Sequence, residues 1–220
     1  MASFELLIFD MDDTLVASAE TWKCAESRLF QLLGTEYDVK IADGYKGMNA
    51  AGVGRVIWEQ LRPAGMSTEE CCRLLREVLL EEFRKPLRPM AGADRLLRAA
   101  GQHFPLAIAS GSPLEAIQLV LAQFAWTPLV PLAVSSESVP HGKPAPDVFL
   151  ETARRFGCSP ERTLVFEDSL HGVRAAKRAG MTCFTVPSSN DPRIGEEADR
   201  CFHSLEEVTL ESIRIGLQSS

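Results

Sequence analysis

The sequence predicts an α/β protein: a doubly wound parallel sheet with a small α-helical domain inserted into it. Three observations carry that prediction. From Leu106 to Val186, short apolar runs of strand length alternate with helical patterns, and such alternation builds a parallel sheet with helices on both faces. Leu6–Phe9 (LLIF) is apolar without interruption, as a strand buried on both faces must be. The span 17–85, in contrast, has helical periodicity and no convincing strand.

The elements follow in chain order. After Leu6–Phe9 the chain turns abruptly acidic, with Asp10, Asp12 and Asp13. Residues 17–33 carry Trp22, Ala25, Leu29, Phe30 and Leu33 at helical spacing, and Gly34 closes that helix. Gly44, Gly47, Gly52 and Gly54 mark a loop and the loosened start of a helix over 50–61, which Pro63 and Gly65 end. Ser67, with Glu70 three residues on, has capping-box spacing for a helix reaching about Phe83. The proline-stiffened stretch Lys85–Pro89 then returns the chain, so a core is expected at 1–16 and 86–220 and the inserted domain at 17–85.

The core resumes with a helix over 91–100 closed by Gly101. There follow a strand at 106–109, a helix at 113–123 with Pro113 in its first position, a strand at 132–134 and a helix at 147–156. A strand at 163–166, a helix at 170–179, a strand at 183–186, a weak strand near 200–203 and a tail complete it.

Composition bounds the function. The chain has 220 residues, 45% of them hydrophobic, and a net charge of −7. An isoelectric point near 5.2 argues against nucleic acid or an anionic membrane as partner. The six cysteines (24, 71, 72, 158, 183, 201) form no CxxC pair and no ligand-like spacing with the four histidines, and read as reduced thiols of a cytosolic protein. MASFE lacks the basic segment and apolar stretch of a secretory leader, and no apolar run approaches ~18 residues, the span of a membrane helix.

Four motifs carry chemistry. Asp10 and Asp12, spaced i, i+2 at the end of a buried strand, point to one side of an extended chain. A turn is the plain alternative, yet it does not call for two converging acids, which repel unless a cation or a shared proton intervenes. Ser110-Gly111-Ser112 joins a strand to a helix start, where hydroxyls and free amides bind anions; Ser112 is also an N-cap candidate. Lys143 lies between Gly142 and two prolines, a stiff loop suited to presenting one cation to a fixed anion, although surface lysines are ordinarily solvated. Glu167 and Asp168 end a second buried strand, where Asp168 or Ser169 could be only an N-cap. Oxygen ligands from two strand ends suit Mg²⁺.

In this order, DMDDTL at 10–15, Ser110, Lys143 of GKPAPD and the acids of FEDS resemble the haloacid dehalogenase superfamily, over residues 4 to about 205. The insertion resembles the helical cap of the subfamily that contains sugar-phosphate phosphatases and β-phosphoglucomutase. The resemblance implies a Rossmann-like core, with Asp10 as the nucleophile that becomes an aspartyl phosphate and Asp12 as acid and then base. It implies Mg²⁺ held by Asp10, the Asp12 backbone carbonyl and Asp168, with Glu167 nearby. Ser110 and Lys143 would grip phosphoryl oxygens, with Gly111 and Ser112 in the same anion-binding turn, and Thr14 would support the loop. The physics agrees, because a carboxylate ~4 Å from a phosphate charge is repelled by about 4 kcal/mol at an effective dielectric constant of ~20. Dehalogenase members do without the second acid and the metal, so Asp12 and Asp168 point to phosphoryl transfer.

Departures from the mutases favour hydrolysis. Their cap arginine falls at Ala50, their Lys-Asn pair at Pro113-Leu114 and their cap histidine at Trp22. SAETW at 18–22 resembles the SEPLW of hexitol and deoxysugar phosphatases, so Trp22 is a substrate contact or simple core packing. Lys46, in a glycine-flanked cap loop, is a second candidate contact or else a solvated charge. Asp13 stands where many relatives have glycine and is expected to tolerate the turn without acting as a ligand.

The resulting expectation is a cytoplasmic, Mg²⁺-dependent phosphatase of a small phosphomonoester, a sugar or polyol phosphate. A hexose-phosphate mutase and a catalytically silent binding protein of the same fold are the alternatives. The oligomeric state is not legible in the sequence, and a monomer is compatible with it.

Overall fold

The computed structural model describes residues 4–43, 45 and 48–215. β1 (Leu6–Phe9) leads into four helices: α1 (Ala19–Leu32), α2 (Val39–Asp43), α3 (Ala50–Leu61) and α4 (Thr68–Phe83). The chain then alternates through α5 (Ala93–Ala100), β2 (Leu106–Ser110), α6 (Leu114–Gln123), β3 (Leu132–Ser135) and α7 (Asp147–Phe156). It ends with β4 (Thr163–Glu167), α8 (Leu170–Arg178), β5 (Thr182–Thr185), α9 (Pro192–Glu197), β6 (Arg200–Cys201) and α10 (Leu210–Ile215).

The six strands form one parallel sheet in the order β3-β2-β1-β4-β5-β6. Successive side chains of each strand go to opposite faces, and both faces are covered. Leu7, Phe9, Ile108, Leu164 and Phe166 belong to one apolar layer, and Leu6, Ile8, Ala107, Ala109 and Val165 to the other. This is why LLIF has no polar residue in it. A leucine or phenylalanine buried to this degree contributes about 1.5–3 kcal/mol.

The four helices between β1 and α5 have a third apolar cluster of their own, with Leu29, Phe30, Val53, Ile57, Cys71 and Leu75 at its centre. The capping box at Ser67 and Glu70 is present, with Ser67 Oγ accepting from Glu70 N and Glu70 Oε2 accepting from Ser67 N. Helix α3 spans Ala50–Leu61 as its pattern predicts.

Several expectations need correction. Pro113 is the N-cap residue of α6, not its first helical residue, and no side chain caps that helix. β5 starts at Thr182, one residue earlier than the apolar run suggests, and β6 has only two residues. Helices α2, α9 and α10 have five or six residues each, too few turns to show a period. α9 did leave a local signal, because Asp191 accepts from Arg193 N and Pro192 takes the first helical position.

Candidate active site

Several segments deliver side chains to the carboxyl edge of the sheet. Asp10 follows β1, Ser110 closes β2, Glu167 closes β4 with Asp168 next to it, and Lys143 enters on the loop before α7. Chain order runs β1-β2-β3 to one side and then crosses back to β4 on the other. The crevice at such a switch point is where open α/β sheets bind ligands.

Lys143 is the hub. Its Nζ donates to Asp10 Oδ1 and to Glu167 Oε1, both at 2.6 Å, and to the Ala109 carbonyl at 3.2 Å. The ammonium also lies 4.9 Å from the centroid of the Phe149 ring. Lys143 is 6% exposed and Glu167 1%, so these are buried, charge-assisted contacts rather than surface pairs. Burial alone would lower the Lys143 ammonium, but the Asp10 and Glu167 carboxylates outweigh it and hold it above the usual lysine range.

Asp10, Glu167 and Asp168 each offer a carboxylate oxygen, all within 4.8 Å of one another. Burial raises the Asp10 carboxyl well above its ordinary value; Lys143 opposes this, and Glu167 and Asp168 add to it. Asp168 is likewise pushed up, by burial and then by Glu167. One ammonium, Lys143, faces this group of three acids. Three buried carboxyl oxygens this close fit a hard divalent cation, which takes the place of the protons that burial favours on Asp10 and Asp168. Thr14 Oγ1 donates to Asp168 Oδ1 at 3.2 Å and fixes that carboxylate.

Glu167 has its second oxygen tied down as well. Oε2 accepts from the backbone N–H groups of Asp168 and Ser169, at 3.0 and 3.2 Å, and from Ser169 Oγ at 3.1 Å. The side chain fits only because residue 172 is glycine: a Cβ there would lie 1.8 Å from Glu167 Cδ. Alanine in a helix is worth about 1 kcal/mol over glycine, but an overlap of this kind costs about 1–3 kcal/mol. Gly172→Ala is therefore expected to lower stability by up to about 2 kcal/mol in urea denaturation. In a Glu167→Asp background, where the side chain is one methylene shorter, the same Gly172→Ala change should cost less. A Gly172→Ala chain at least as stable as the native one would show that Glu167 can turn aside freely.

Asp12 is held quite differently. Its Oδ2 accepts from Ser110 Oγ at 3.0 Å and Ser112 Oγ at 2.7 Å, and its Oδ1 accepts from Ser18 Oγ at 2.7 Å and Trp22 Nε1 at 3.0 Å. Ser112, expected to cap α6, thus spends its hydroxyl on Asp12, while its N–H donates to Ser110 Oγ at 3.0 Å. The Asp12 carboxylate lies outside the three-carboxylate group. Asp13 adopts φ +54° and accepts from the N–H groups of Ser18 and Ala19 at 3.0 Å, supporting the start of α1.

The helical insertion reaches this edge. Gly111 lies under Met48 and Asn49, since a Cβ on it would sit 3.3 Å from the Met48 carbonyl oxygen and 3.4 Å from Asn49 Cα. A Cβ on Gly142 would sit 3.0 Å from Asn49 Nδ2. Arg76 of α4 pairs with Glu115 of α6 and, at 3.3 Å, with Glu137. Lys46 lies outside the described residues. Ser18, Asn49 and the space that Gly172 leaves for Glu167 are features of this edge that sequence reasoning missed. Only Gly172 carried a signal, as a glycine inside the first turn of a predicted helix.

A family model described as haloacid dehalogenase-like hydrolase matches residues 7–186. A probable pseudouridine-5'-phosphatase of Drosophila melanogaster is 34% identical over 200 residues, covering 86% of this chain and 83% of that protein. Hexitol phosphatase B of Escherichia coli (strain K12) is 30% identical over 214 residues, covering 94% of this chain and 95% of its own. Among solved structures, CbbY from Rhodobacter sphaeroides in complex with phosphate superposes with a TM-score of 0.84 at 25% identity, over 98% of this chain and 99% of that one.

Proposed function

Because the chain belongs to the haloacid dehalogenase-like hydrolase family, we propose that this site hydrolyses small phosphomonoesters, of sugar or polyol alcohols, through an aspartyl phosphate on Asp10. The observation that carries the proposal is the buried group of Asp10, Lys143, Glu167 and Asp168, with the separately held Asp12 beside it. Phosphatases among the relatives at 30% identity or more favour hydrolysis over isomerisation.

An Asp10 oxygen attacks phosphorus while the bond to the alcohol oxygen breaks, and Asp12 gives that oxygen its proton. Asp12 then takes a proton from water, which attacks phosphorus and frees inorganic phosphate and the Asp10 carboxylate. Splitting one displacement into two lowers each barrier. Lys143 offsets the repulsion between the nucleophile and the incoming dianion. Asp10, Glu167, Asp168 and the Asp12 backbone carbonyl are the groups that would hold Mg²⁺, which supplies charge neutralisation at the transferring phosphoryl group. Ser110 and Ser112 can turn from Asp12 to phosphoryl oxygens, and the helical insertion, 17–85, acts as the lid.

Phosphate release from a panel of sugar, polyol, glycolate and nucleotide monophosphates tests this, with EDTA abolishing and Mg²⁺ restoring activity. Metal-independent hydrolysis would remove the metal role of Asp168. A second check is thermodynamic. In metal-free protein Asp10 and Asp168 hold protons more tightly folded than unfolded. The unfolded chain therefore binds fewer protons, and stability must fall as pH rises from the ordinary carboxylate value of 3.8 through the raised folded values. Mg²⁺ competes with those protons, so the stability it adds, about 2.7 kcal/mol at a hundredfold excess over its Kd, is expected to grow across the same window. Thermal denaturation in EDTA and in Mg²⁺ as a function of pH measures both slopes.

A further inference from the structure

Asp12 is held from two sides by donors of different kinds. On the sheet side, Ser110 and Ser112 reach Oδ2; on the side of the helical insertion, Ser18 and Trp22 reach Oδ1. A serine hydroxyl can donate or accept, so it tolerates a proton on the carboxyl oxygen it faces. An indole N–H can only donate. Oδ1, which accepts from this obligatory donor as well as from Ser18 Oγ, is therefore the poorer place for a proton, and Oδ2, which faces only hydroxyls, is the better one.

We propose that Trp22 is a positioning residue for proton transfer: by donating to Oδ1 of Asp12 it orients the carboxyl group and biases the transferable proton towards Oδ2, on the side of Ser110 and Ser112. This rests on the phosphatase reading of the site. In the first half-reaction the Oδ2–H bond breaks as the ester oxygen takes the proton, and the electron pair stays on Asp12. In the second, Oδ2 takes a proton from the attacking water. Trp22 stands in the first turn of α1 and packs against both the sheet's apolar layer and the cluster of the insertion. Trp22, whose place in SAETW suggests a substrate contact or simple core packing, packs against both clusters and on this proposal acts through Asp12.

The test is the dependence on leaving group. p-Nitrophenolate departs without a proton, whereas an alkoxide needs one. Trp22→Phe keeps an aromatic ring and loses the donor. It is expected to lower kcat on an alkyl phosphate, such as a polyol phosphate, about 10- to 100-fold more than on p-nitrophenyl phosphate, with KM for the two esters moving together. Ser18→Ala removes the other donor to Oδ1 without touching the Trp22 packing, and decides the matter if Trp22→Phe fails to fold. It should shift the same ratio in the same direction. An unchanged ratio in the folded variants, with both esters slowed alike or only KM raised, would overturn this inference and leave the phosphatase reading standing. Failure of the native protein to release phosphate from either ester would overturn both.

Discussion

Asparagine at position 10 is expected to lower turnover by at least about 10⁴-fold while leaving the chain folded. An amide is isosteric with the carboxylate but is no nucleophile towards phosphorus, so the covalent route closes. The fold should tolerate the change better than most buried substitutions. Burial, Glu167 and Asp168 already push the Asp10 carboxyl towards its neutral form, and a neutral side chain relieves that repulsion. The amide oxygen can still accept from the Lys143 ammonium, which now meets Asp10 at 2.6 Å. Without metal, the variant is expected to melt no lower than the native protein at neutral pH. The stabilisation by Mg²⁺ should shrink, because one anionic ligand is gone. Phosphate release, a search for phosphorylated protein by mass, and paired melts with and without Mg²⁺ give three independent readings. Turnover within about tenfold of the native rate would remove Asp10 from the nucleophile's role.

What could be read from the sequence was set by how local each signal is. The unbroken LLIF run announces a strand with two buried faces, and both apolar layers do contain its side chains. The Ser67–Glu70 cap is a contact between residues three apart, and it forms as spaced. The strand-end acids were visible for the same reason: the motif and the strand that aims it are contiguous. Partnerships across the chain were not. Nothing local says that Glu167 faces Lys143, 24 residues away, or that Ser18 and Trp22 meet Asp12. Ser112 shows how a local rule loses. Its position suits an N-cap only if α6 starts at Pro113, but the helix starts at Leu114 with Pro113 as its N-cap, so Ser112 lies one residue outside and donates its hydroxyl to Asp12. Helices α2, α9 and α10 were missed because a single turn and a half has no measurable period.

Lys143→Met should cost about 3–5 kcal/mol of stability in metal-free protein at neutral pH, besides lowering turnover by about 10³-fold. Methionine has nearly the length of lysine and can keep the packing against Phe149, so the loss is chiefly one of charge. Asp10 and Glu167 each surrender a 2.6 Å ionic hydrogen bond in a pocket where Glu167 is 1% exposed, and neither can turn to water. Lys143 is what holds the Asp10 carboxyl down against burial, so its removal raises that group further. The sign follows: at a pH low enough to protonate Asp10 and its neighbours, the variant loses little relative to native. The gap should open as pH rises through the raised carboxyl values, and Mg²⁺ should narrow it by restoring positive charge to the same oxygens. Lys143→Arg is not expected to rescue activity, because a planar guanidinium cannot occupy the point between Asp10, Glu167 and the Ala109 carbonyl that the ammonium fills. Urea denaturation of native and Lys143→Met protein across pH, with and without Mg²⁺, separates charge from packing. A deficit that stays constant with pH and ignores Mg²⁺ would mean that the lysine is held for its hydrocarbon stem, and the clamp on the phosphoryl group would have to be sought elsewhere.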